Sequence, residues 1–252
     1  MPPVAPAAPP VAGALVVLTV NIHMGLDMLR RRTVLPRLRQ AVAGTGADLV
    51  FLQEVQGQVR GDASALPQYE YLADRLWPRF AYGRNAVLAD GHHGNALLSR
   101  YPVLQHANHD VSVAGHEGRG LLHCQVAMPG HARPLHAICV HLGLRASHRR
   151  HQLRRLVEVL AARIPADVAV VVAGDFNDWR GAAHPVLLQA GLTEVHQARH
   201  GRLARSFPAR WPLLPLDRIY VRGLEVQSAA VLRGTPWAGL SDHLPLQARL
   251  RR

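Results

Sequence analysis

Four short apolar runs, each ending on a polar residue, constrain the fold of this chain more than any other feature of its sequence. The runs are ALVVLTV before Asn21, LVFLQ before Glu54, HAICV before His141 and VAVVVAG before Asp175. Continuous apolar runs rich in β-branched residues are typical of strands buried on both faces. Open α/β folds collect their sites at strand ends, because loops converge there on a rigid sheet. The pattern therefore predicts a layered α/β fold whose functional residues stand at the ends of its strands.

The rest of the sequence continues this alternation of strands and helices. Strands are predicted at residues 14–20, 47–52, 94–99, 120–127, 134–141, 166–173, 216–221, 225–232 and 245–250, and helices near 30–43, 147–162 and 185–190. Ser147 is the predicted N-cap of the clearest helix, whose apolar stripe runs from Leu153 to Leu160. We find no repeat and no linker, so residues 14–252 are predicted to form one domain after a disordered Pro/Ala-rich tail at 1–13.

Composition excludes several other classes of protein. The 252 residues are about half apolar and contain no uncharged apolar run of 18, so a globular core is expected and a transmembrane helix is not. The N-terminus lacks the positive region of a signal peptide, which favours a cytoplasmic location. Cys124 and Cys139 lie in apolar runs and are predicted to be buried thiols.

The chain is strongly basic. Its formal net charge is +12, and all 29 of its basic residues are arginines. Such a charge suggests a polyanionic partner, either nucleic acid or anionic lipid headgroups. The absence of lysine is equally typical of a compositional bias of the genome, and the charge alone leaves both explanations open.

Eight polar residues form the candidate site: Asn21, Glu54, His141, Asp175, Asn177, Asp217, Asp242 and His243. Carboxylate and amide oxygens suit a hard cation such as Mg²⁺ or Mn²⁺. The sequence has no zinc-finger or zincin spacing, no Walker loop and no GxSxG elbow. Taken singly, Asn21 is typical of a turn residue and Glu54 of a solvated strand end. Asp217 could pair with Arg218, and His141 could be a core histidine. Their joint occurrence at strand ends favours a catalytic site.

The stretch AGDFNDWRG is the centre of this hypothesis. Side chains at i and i+2 of an extended chain project to the same side, so Asp175 and Asn177 are predicted to face one phosphate while Phe176 packs inward. Gly174 is predicted to let the backbone turn into the cleft. Asp175 is therefore the first choice for the residue that activates water.

The ordered motifs VNIHMG, FLQEV, GNALLSRYPV, HLG, GDFND, SFPA, LDRIYV and SDHLPL resemble those of the endonuclease/exonuclease/phosphatase superfamily over residues 14 to 250. The resemblance implies a four-layer α/β/β/α sandwich of two packed mixed sheets with outer helices. It also implies one divalent-metal site and hydrolysis of a phosphoester bond. By motif, Glu54 would be the principal metal ligand, with Asn21 beside it. Asp242 would complete the metal site or orient His243.

The resemblance also distributes the catalytic roles. Asp175 would position or deprotonate water, and Asn177 would hold a phosphate oxygen. His141 would bind phosphate or assist the leaving group, His243 would contact the phosphate and share in proton transfer, and Asp217 would support the site from behind. We add Arg119, just before a strand, as a candidate phosphate contact, the alternative being a solvated strand-start arginine.

The substrate is the open question. The segment RWPLLP places Trp211 and two leucines between prolines and near several arginines, which would suit substrate binding at a membrane interface or base stacking in a nuclease. A loop folded over the core is the simpler alternative. A nucleic-acid phosphodiesterase is the first hypothesis, and a phospholipid or small-molecule phosphodiesterase or phosphatase at a membrane surface is the alternative. A non-catalytic module is disfavoured because every chemical position is filled. A monomer is expected.

Overall fold

The computed structural model describes residues 14–27, 32–59, 66–73, 76–89 and 91–251. The tail predicted at residues 1–13 lies outside this part of the chain. The strands are β1 (Ala14–Asn21), β2 (Leu49–Val59), β3 (Arg79–Leu88), β4 (Gly91–Ser99), β5 (Val103–Asp110), β6 (Gly120–Val126), β7 (Leu135–His141), β8 (Val170–Asp175), β9 (Thr193–Glu194), β10 (Asp217–Arg222), β11 (Glu225–Val231) and β12 (Leu246–Arg251). The helices are α1 (Leu35–Gly44), α2 (Gln68–Ala73), α3 (Ala146–Arg163), α4 (Ala183–Gln189) and α5 (Val195–His200).

The strands form two mixed sheets of six. One has the order β11-β12-β1-β2-β4-β3 and the other the order β5-β6-β7-β8-β10-β9. Alternate side chains of both sheets, such as Val17 and Phe51 of the first and Ala137 and Val171 of the second, share one buried cluster. The opposite faces pack on α1 and α2 in the first sheet and on α3 and α4 in the second. The predicted four-layer α/β/β/α sandwich is confirmed.

The main differences from the predicted elements lie where the sequence is polar. Strand β5 (VLQHANHD) was not predicted, because it is an edge strand with mostly exposed side chains and no apolar alternation. The prediction of Ser147 as N-cap was wrong. Helix α3 begins at Ala146 after Arg145, whose backbone is extended, so Ser147 lies inside the first turn. Cys124 and Cys139 are buried free thiols, as predicted, and burial raises the pKa of each.

Among the described residues, no helix combines the length and apolar character needed to cross a bilayer.

Candidate active site

Strand register brings the predicted strand-end residues together. Parallel strands β1 and β2 pair Asn21 with Gln53, the residue before Glu54. In the second sheet, β7 and β8 pair His141 with Asp175, and antiparallel β10 pairs Asp217 with Asp175. Because the two sheets pack face to face, these ends meet in one cleft of about 570 Å³.

Glu54 and Asn21 form the side of the cleft that belongs to the first sheet. The pairing of β2 with β4 is irregular between Leu52 and Val55, and Glu54 within this bulge has φ of 54°. A bulge re-aims a side chain, and a non-glycine residue in the left-handed region is held there by its surroundings. The Asn21 Nδ2 donates to Glu54 Oε1 at 3.1 Å and to Asp175 Oδ2 at 3.3 Å. Asn21 is therefore a buried bridge between the sheets, and it is also a turn residue, because its Oδ1 accepts the backbone N–H of His23 at 3.0 Å.

Asp175 is the centre of the polar network. Its Oδ2 lies 3.3 Å from Asn21 Nδ2, 3.6 Å from His141 Nε2 and 3.8 Å from His243 Nε2. Its Oδ1 accepts the backbone N–H of Asn177 at 2.8 Å. Burial raises the pKa of Asp175 to about 7, although the positive charge of His243 acts in the opposite direction. A carboxylate with such a pKa can accept a proton near neutral pH.

Asn177 reaches the cleft by a different route from the one predicted. It lies beyond the strand with φ of 48°, so the turn and the bond to Asp175 orient it, not an extended i, i+2 alternation. Its Nδ2 donates to the carbonyl of Leu142 at 2.9 Å. Phe176 is fully buried, as predicted. Gly174 is required by close packing: a Cβ there would lie 2.0 Å from the Val140 carbonyl oxygen of β7.

Asp217 and His243 form a buried charged pair. The His243 Nδ1 donates to Asp217 Oδ2 at 2.8 Å, and the Ser206 hydroxyl donates to the same oxygen at 2.5 Å. Burial lowers the pKa of His243, but Asp217 and Asp175 outweigh it and raise the pKa to about 10. The imidazole thus carries a proton on both nitrogens, with Nε2 directed toward Asp175.

The alternative that Asp217 pairs with its neighbour Arg218 is wrong. Successive side chains of a strand point to opposite faces, and Arg218 lies on the far side of β10. There its guanidinium, fully buried, pairs with Asp178 at 3.2 Å and lies over the ring of Phe176. This second buried ion pair holds the GDFND turn against β10 from behind.

His141 is a buried imidazole that is neutral at physiological pH. Its Nε2 lies 3.6 Å from Asp175 and 4.0 Å from Glu54. Burial and the nearby Arg119 guanidinium lower the pKa of His141 well below its ordinary value. A neutral imidazole with Nε2–H toward the cleft can donate a hydrogen bond to a phosphate oxygen.

Arg119 lines the cleft together with two residues that the sequence analysis missed. Its NH1 contacts Glu117 at 2.8 Å, and His93 Nε2 contacts the same carboxylate oxygen at 3.0 Å. The hydrogen bond from His93 and the charge of Arg119 lower the pKa of Glu117, against the effect of burial. Both lie close in the sequence to segments already singled out: Glu117 is two residues from Arg119, and His93 directly precedes GNALLS within β4.

Two serines also escaped notice, although both stand in quoted motifs. Ser206 of SFPA holds Asp217, as described above. Ser241 of SDH donates to the Asn21 carbonyl at 2.7 Å and accepts the His243 N–H at 3.2 Å. Ser241 therefore fixes Asp242 and His243 against the end of β1. Asp242 itself faces the cleft, with its Oδ1 3.5 Å from His23 Nδ1.

Trp211 stands apart from this group. It does not line the cleft, and 77% of it is exposed. Phe207, Leu214 and Leu216, at the base of the same loop, do line the cleft. The structure thus brings nine of the ten sequence-predicted site residues to one place and leaves Trp211 on the outside of the adjoining loop.

The donor set of the cleft fits a hard cation. Glu54 and Asp242 have partly exposed carboxylates, at 23% and 27% side-chain exposure, and Asn21 holds Glu54 in place. The more exposed carboxylate of Glu117 is already paired with Arg119 and His93. Asp175, Asp217 and His243 also have ligand-type atoms within 4.8 Å of one another, but here a proton on each ring nitrogen already faces a carboxylate. The site holds more acidic side chains than cationic ones. The acidic residues are Glu54, Glu117, Asp175, Asp217 and Asp242, and the cations are Arg119 and His243. A phosphate would meet net negative charge unless a cation neutralised it.

Comparison with known proteins shows the family and the fold of this chain. The model of the Endonuclease/Exonuclease/phosphatase family matches residues 18–243. The uncharacterized protein YbhP of Escherichia coli K12 is 49% identical over 241 residues, covering 93% of this chain and 95% of YbhP. An endonuclease/exonuclease/phosphatase structure from Beutenbergia cavernae has a TM-score of 0.81 at 20% identity, covering 95% of this chain and 72% of that one. The structure of D. rerio TDP2 complexed with single strand DNA product has a TM-score of 0.73 at 20% identity, covering 95% and 99%.

Proposed function

The chain belongs to the endonuclease/exonuclease/phosphatase family, and from this premise we propose that it is a phosphodiesterase that depends on Mg²⁺ or Mn²⁺. Family membership supports hydrolysis of a phosphoester bond, and members generally depend on a divalent metal. The observation that carries the proposal is the chain of contacts from Asp217 through His243 to Asp175, which ends beside Glu54 and Asn21.

Glu54 and Asp242 would hold the metal, because both carboxylates line the cleft. Asn21 would complete the metal site from beside Glu54, to which its Nδ2 donates, while its Oδ1 accepts the His23 N–H at 3.0 Å. When bound, the ion would polarise the phosphoryl oxygen and neutralise its charge. Holding the ion between two carboxylates would also explain how an anionic substrate enters an acidic cleft.

The remaining residues handle the proton and the substrate. Asp175, with its pKa raised to about 7 by burial, would accept the proton of the attacking water. His243, held protonated by Asp217, and neutral His141 would donate hydrogen bonds to the phosphoryl oxygens. Asn177 and Arg119 would complete the phosphate contacts. Preorganised donors of this kind are usually the largest catalytic contribution.

Nucleic acid stays the first substrate predicted from the sequence, and the net charge of +12 supports it. A phospholipid is the second candidate. The observation in its favour is the apolar part of the cleft lining, formed by Met24, Leu88, Leu144, Trp179, Phe207, Leu214 and Leu216. This lining suits acyl or glycerol carbon better than a second phosphate. Cytoplasmic location and a monomeric state stay predictions.

The test is hydrolysis of bis(p-nitrophenyl) phosphate with Mg²⁺, with Mn²⁺ and with EDTA, comparing the wild-type protein with Asp175→Asn. The substitution keeps the shape of the side chain and removes the proton acceptor, so kcat should fall by about 10²–10⁴ with little change in melting temperature. Retained turnover in the variant would contradict the mechanism. Hydrolysis assays on a panel of natural phosphoesters then identify the substrate class. The panel consists of supercoiled DNA, abasic duplex, sphingomyelin, phosphatidylglycerol and inositol phosphates.

A further inference from the structure

The loop from Phe207 to Leu216 carries large apolar side chains on its outer surface. Trp211 is 77% exposed and Leu213 is 62% exposed, and Pro212 lies between them. Isolated exposed apolar residues are common, but adjoining ones of this size on one protruding tip indicate a surface that another phase or partner covers.

The tip is held in place by its own backbone. The N–H groups of Leu213 and Leu214 donate to the Phe207 carbonyl at 2.8 Å each, and that of Trp211 donates to Pro208 at 3.1 Å. The Ala209 N–H donates to the carbonyl of Asp242 at 2.7 Å, which ties the loop to the cleft. A preformed tip loses less conformational entropy when it is covered than a free segment would.

A basic pocket of about 500 Å³ adjoins the tip. Pro212 forms part of its wall, and its polar lining consists of Arg202, Arg205 and Arg233 with His196 and His200. The three arginines are exposed, and in the part of the chain that the structure describes none of them lies within 4 Å of a carboxylate. Arg210, also exposed, precedes Trp211. Among the described residues, therefore, no carboxylate neutralises the positive charge beside the tip.

We propose that the tip and the basic pocket dock the protein on a bilayer of anionic phospholipids, with the cleft beside the bilayer surface. Tryptophan and leucine partition into the interfacial region, while neighbouring arginines contact lipid phosphates. Leu213 has no aromatic face for a nucleobase, so the pair Trp211–Leu213 fits acyl chains better than stacked bases. The same loop continues into the cleft through Leu214 and Leu216, and the cleft rim adds exposed Leu88 and Leu144.

Docking deepens the second substrate candidate of the proposed function but is measured independently of it. The probes are vesicles of phosphatidylcholine alone and of phosphatidylcholine with phosphatidylglycerol, in co-sedimentation at several salt concentrations. Trp211→Ala/Leu213→Ser should weaken binding about 10-fold or more, because two large side chains no longer become buried. Arg202→Gln/Arg205→Gln/Arg233→Gln should remove the preference for phosphatidylglycerol and most of the salt dependence.

Leu104→Ser and Arg154→Gln are the matched controls, since both residues are exposed on other surfaces. Neither should change vesicle binding. Leu213→Ser should bind vesicles less well but hydrolyse soluble bis(p-nitrophenyl) phosphate as the wild-type protein does, which separates docking from catalysis.

Equal binding of the wild-type protein and the tip variant to anionic vesicles would overturn the proposal. So would a variant that loses affinity for single-stranded DNA and not for vesicles, since the loop would then be a nucleic-acid contact. Vesicle binding by a protein that hydrolyses no phosphoester would support docking and refute only the proposed activity.

Discussion

The charge of Asp217 is expected to set the protonation of His243, and Asp217→Asn tests this directly. The substitution keeps the size of the side chain and removes the negative charge that lies 2.8 Å from His243 Nδ1. Asp217 is completely buried, so water cannot replace its charge. The amide oxygen can still accept both hydrogen bonds that Oδ2 accepts, from His243 and from Ser206, which limits the effect to electrostatics.

The magnitude follows from the distance between the charges. Two charge centres about 4 Å apart attract each other by about 4 kcal/mol at an effective dielectric constant of about 20. One pKa unit corresponds to about 1.4 kcal/mol, so the variant should lose about three units. The pKa of His243 in the metal-free protein should therefore fall from about 10 to near 7. At pH 8 only about a tenth of the molecules would then keep the imidazolium.

Two measurements check this prediction. NMR titration of the His243 imidazole reports the pKa, and the pH dependence of kcat/KM on bis(p-nitrophenyl) phosphate reports its consequence. We expect kcat/KM of the variant to fall about 10-fold at pH 8, in proportion to the lost imidazolium, and to recover partly at lower pH. Ser206→Ala is the matched control, because it removes a neutral hydrogen bond from the same carboxylate and should shift the pKa by about one unit or less. If His243 of Asp217→Asn still titrates above pH 9, the electrostatic reasoning is refuted.

Three further predictions concern the metal, the packing and the pH dependence of stability. Glu54→Gln should weaken Mn²⁺ binding at least about 10-fold in calorimetry. Glu117→Gln should not weaken it, because the carboxylate of Glu117 is paired with Arg119. Equal losses of affinity in the two variants would count against Glu54 as the ligand. Gly174→Ala should lower the free energy of unfolding by about 3 kcal/mol, because the added Cβ would meet the Val140 carbonyl. Gly44→Ala is the control: its Cβ meets nothing within 4 Å, so it should change the free energy of unfolding by less than about 1 kcal/mol. Similar losses for the two variants in urea titrations would be inconsistent with this packing. The pKa of His243 is raised from 6.5 to about 10 on folding, so between pH 6.5 and 10 the folded state holds a proton that the unfolded state has lost. The contribution of this proton to stability is therefore complete below pH 6.5 and is lost as the pH rises through 10. Urea unfolding of the metal-free protein should show this loss, Asp217→Asn should reduce it, and identical pH slopes in the two proteins would disprove the assignment.

Much of the fold could be predicted from the sequence, because a strand that is buried on both faces appears there as a continuous run of apolar residues. The runs that became β1, β2, β7 and β8 are almost wholly apolar, and each lies at the centre of a sheet. Edge strand β5 and short helix α5 escaped prediction because exposed elements of this kind carry no such periodicity. Their formation depends on pairing with a neighbour that only the folded chain supplies.

The candidate site divides in the same way. Strand ends and motifs identified Asn21, Glu54, His141, Asp175 and Asp217, since register alone joins adjacent strand ends. The predicted i, i+2 geometry failed at Asn177 because a turn with positive φ replaces the extended chain there. The two serines of the network went unnoticed, because a hydroxyl in a loop acquires its role only from the carboxylate or carbonyl that packs beside it.

The sequence by itself determined the layers of the fold, the polar residues at the strand ends and the oxygen-rich chemistry of the site, because these depend on local patterning and residue type. Only the tertiary structure decided which charges meet. It turned Arg218 away from Asp217 to a buried pair with Asp178 and brought His243 between Asp217 and Asp175. It also left Trp211 outside the cleft, beside the exposed arginines of the basic pocket. Charge pairing and exposure depend on distances between segments far apart in the chain, and those distances exist only once the two sheets have packed.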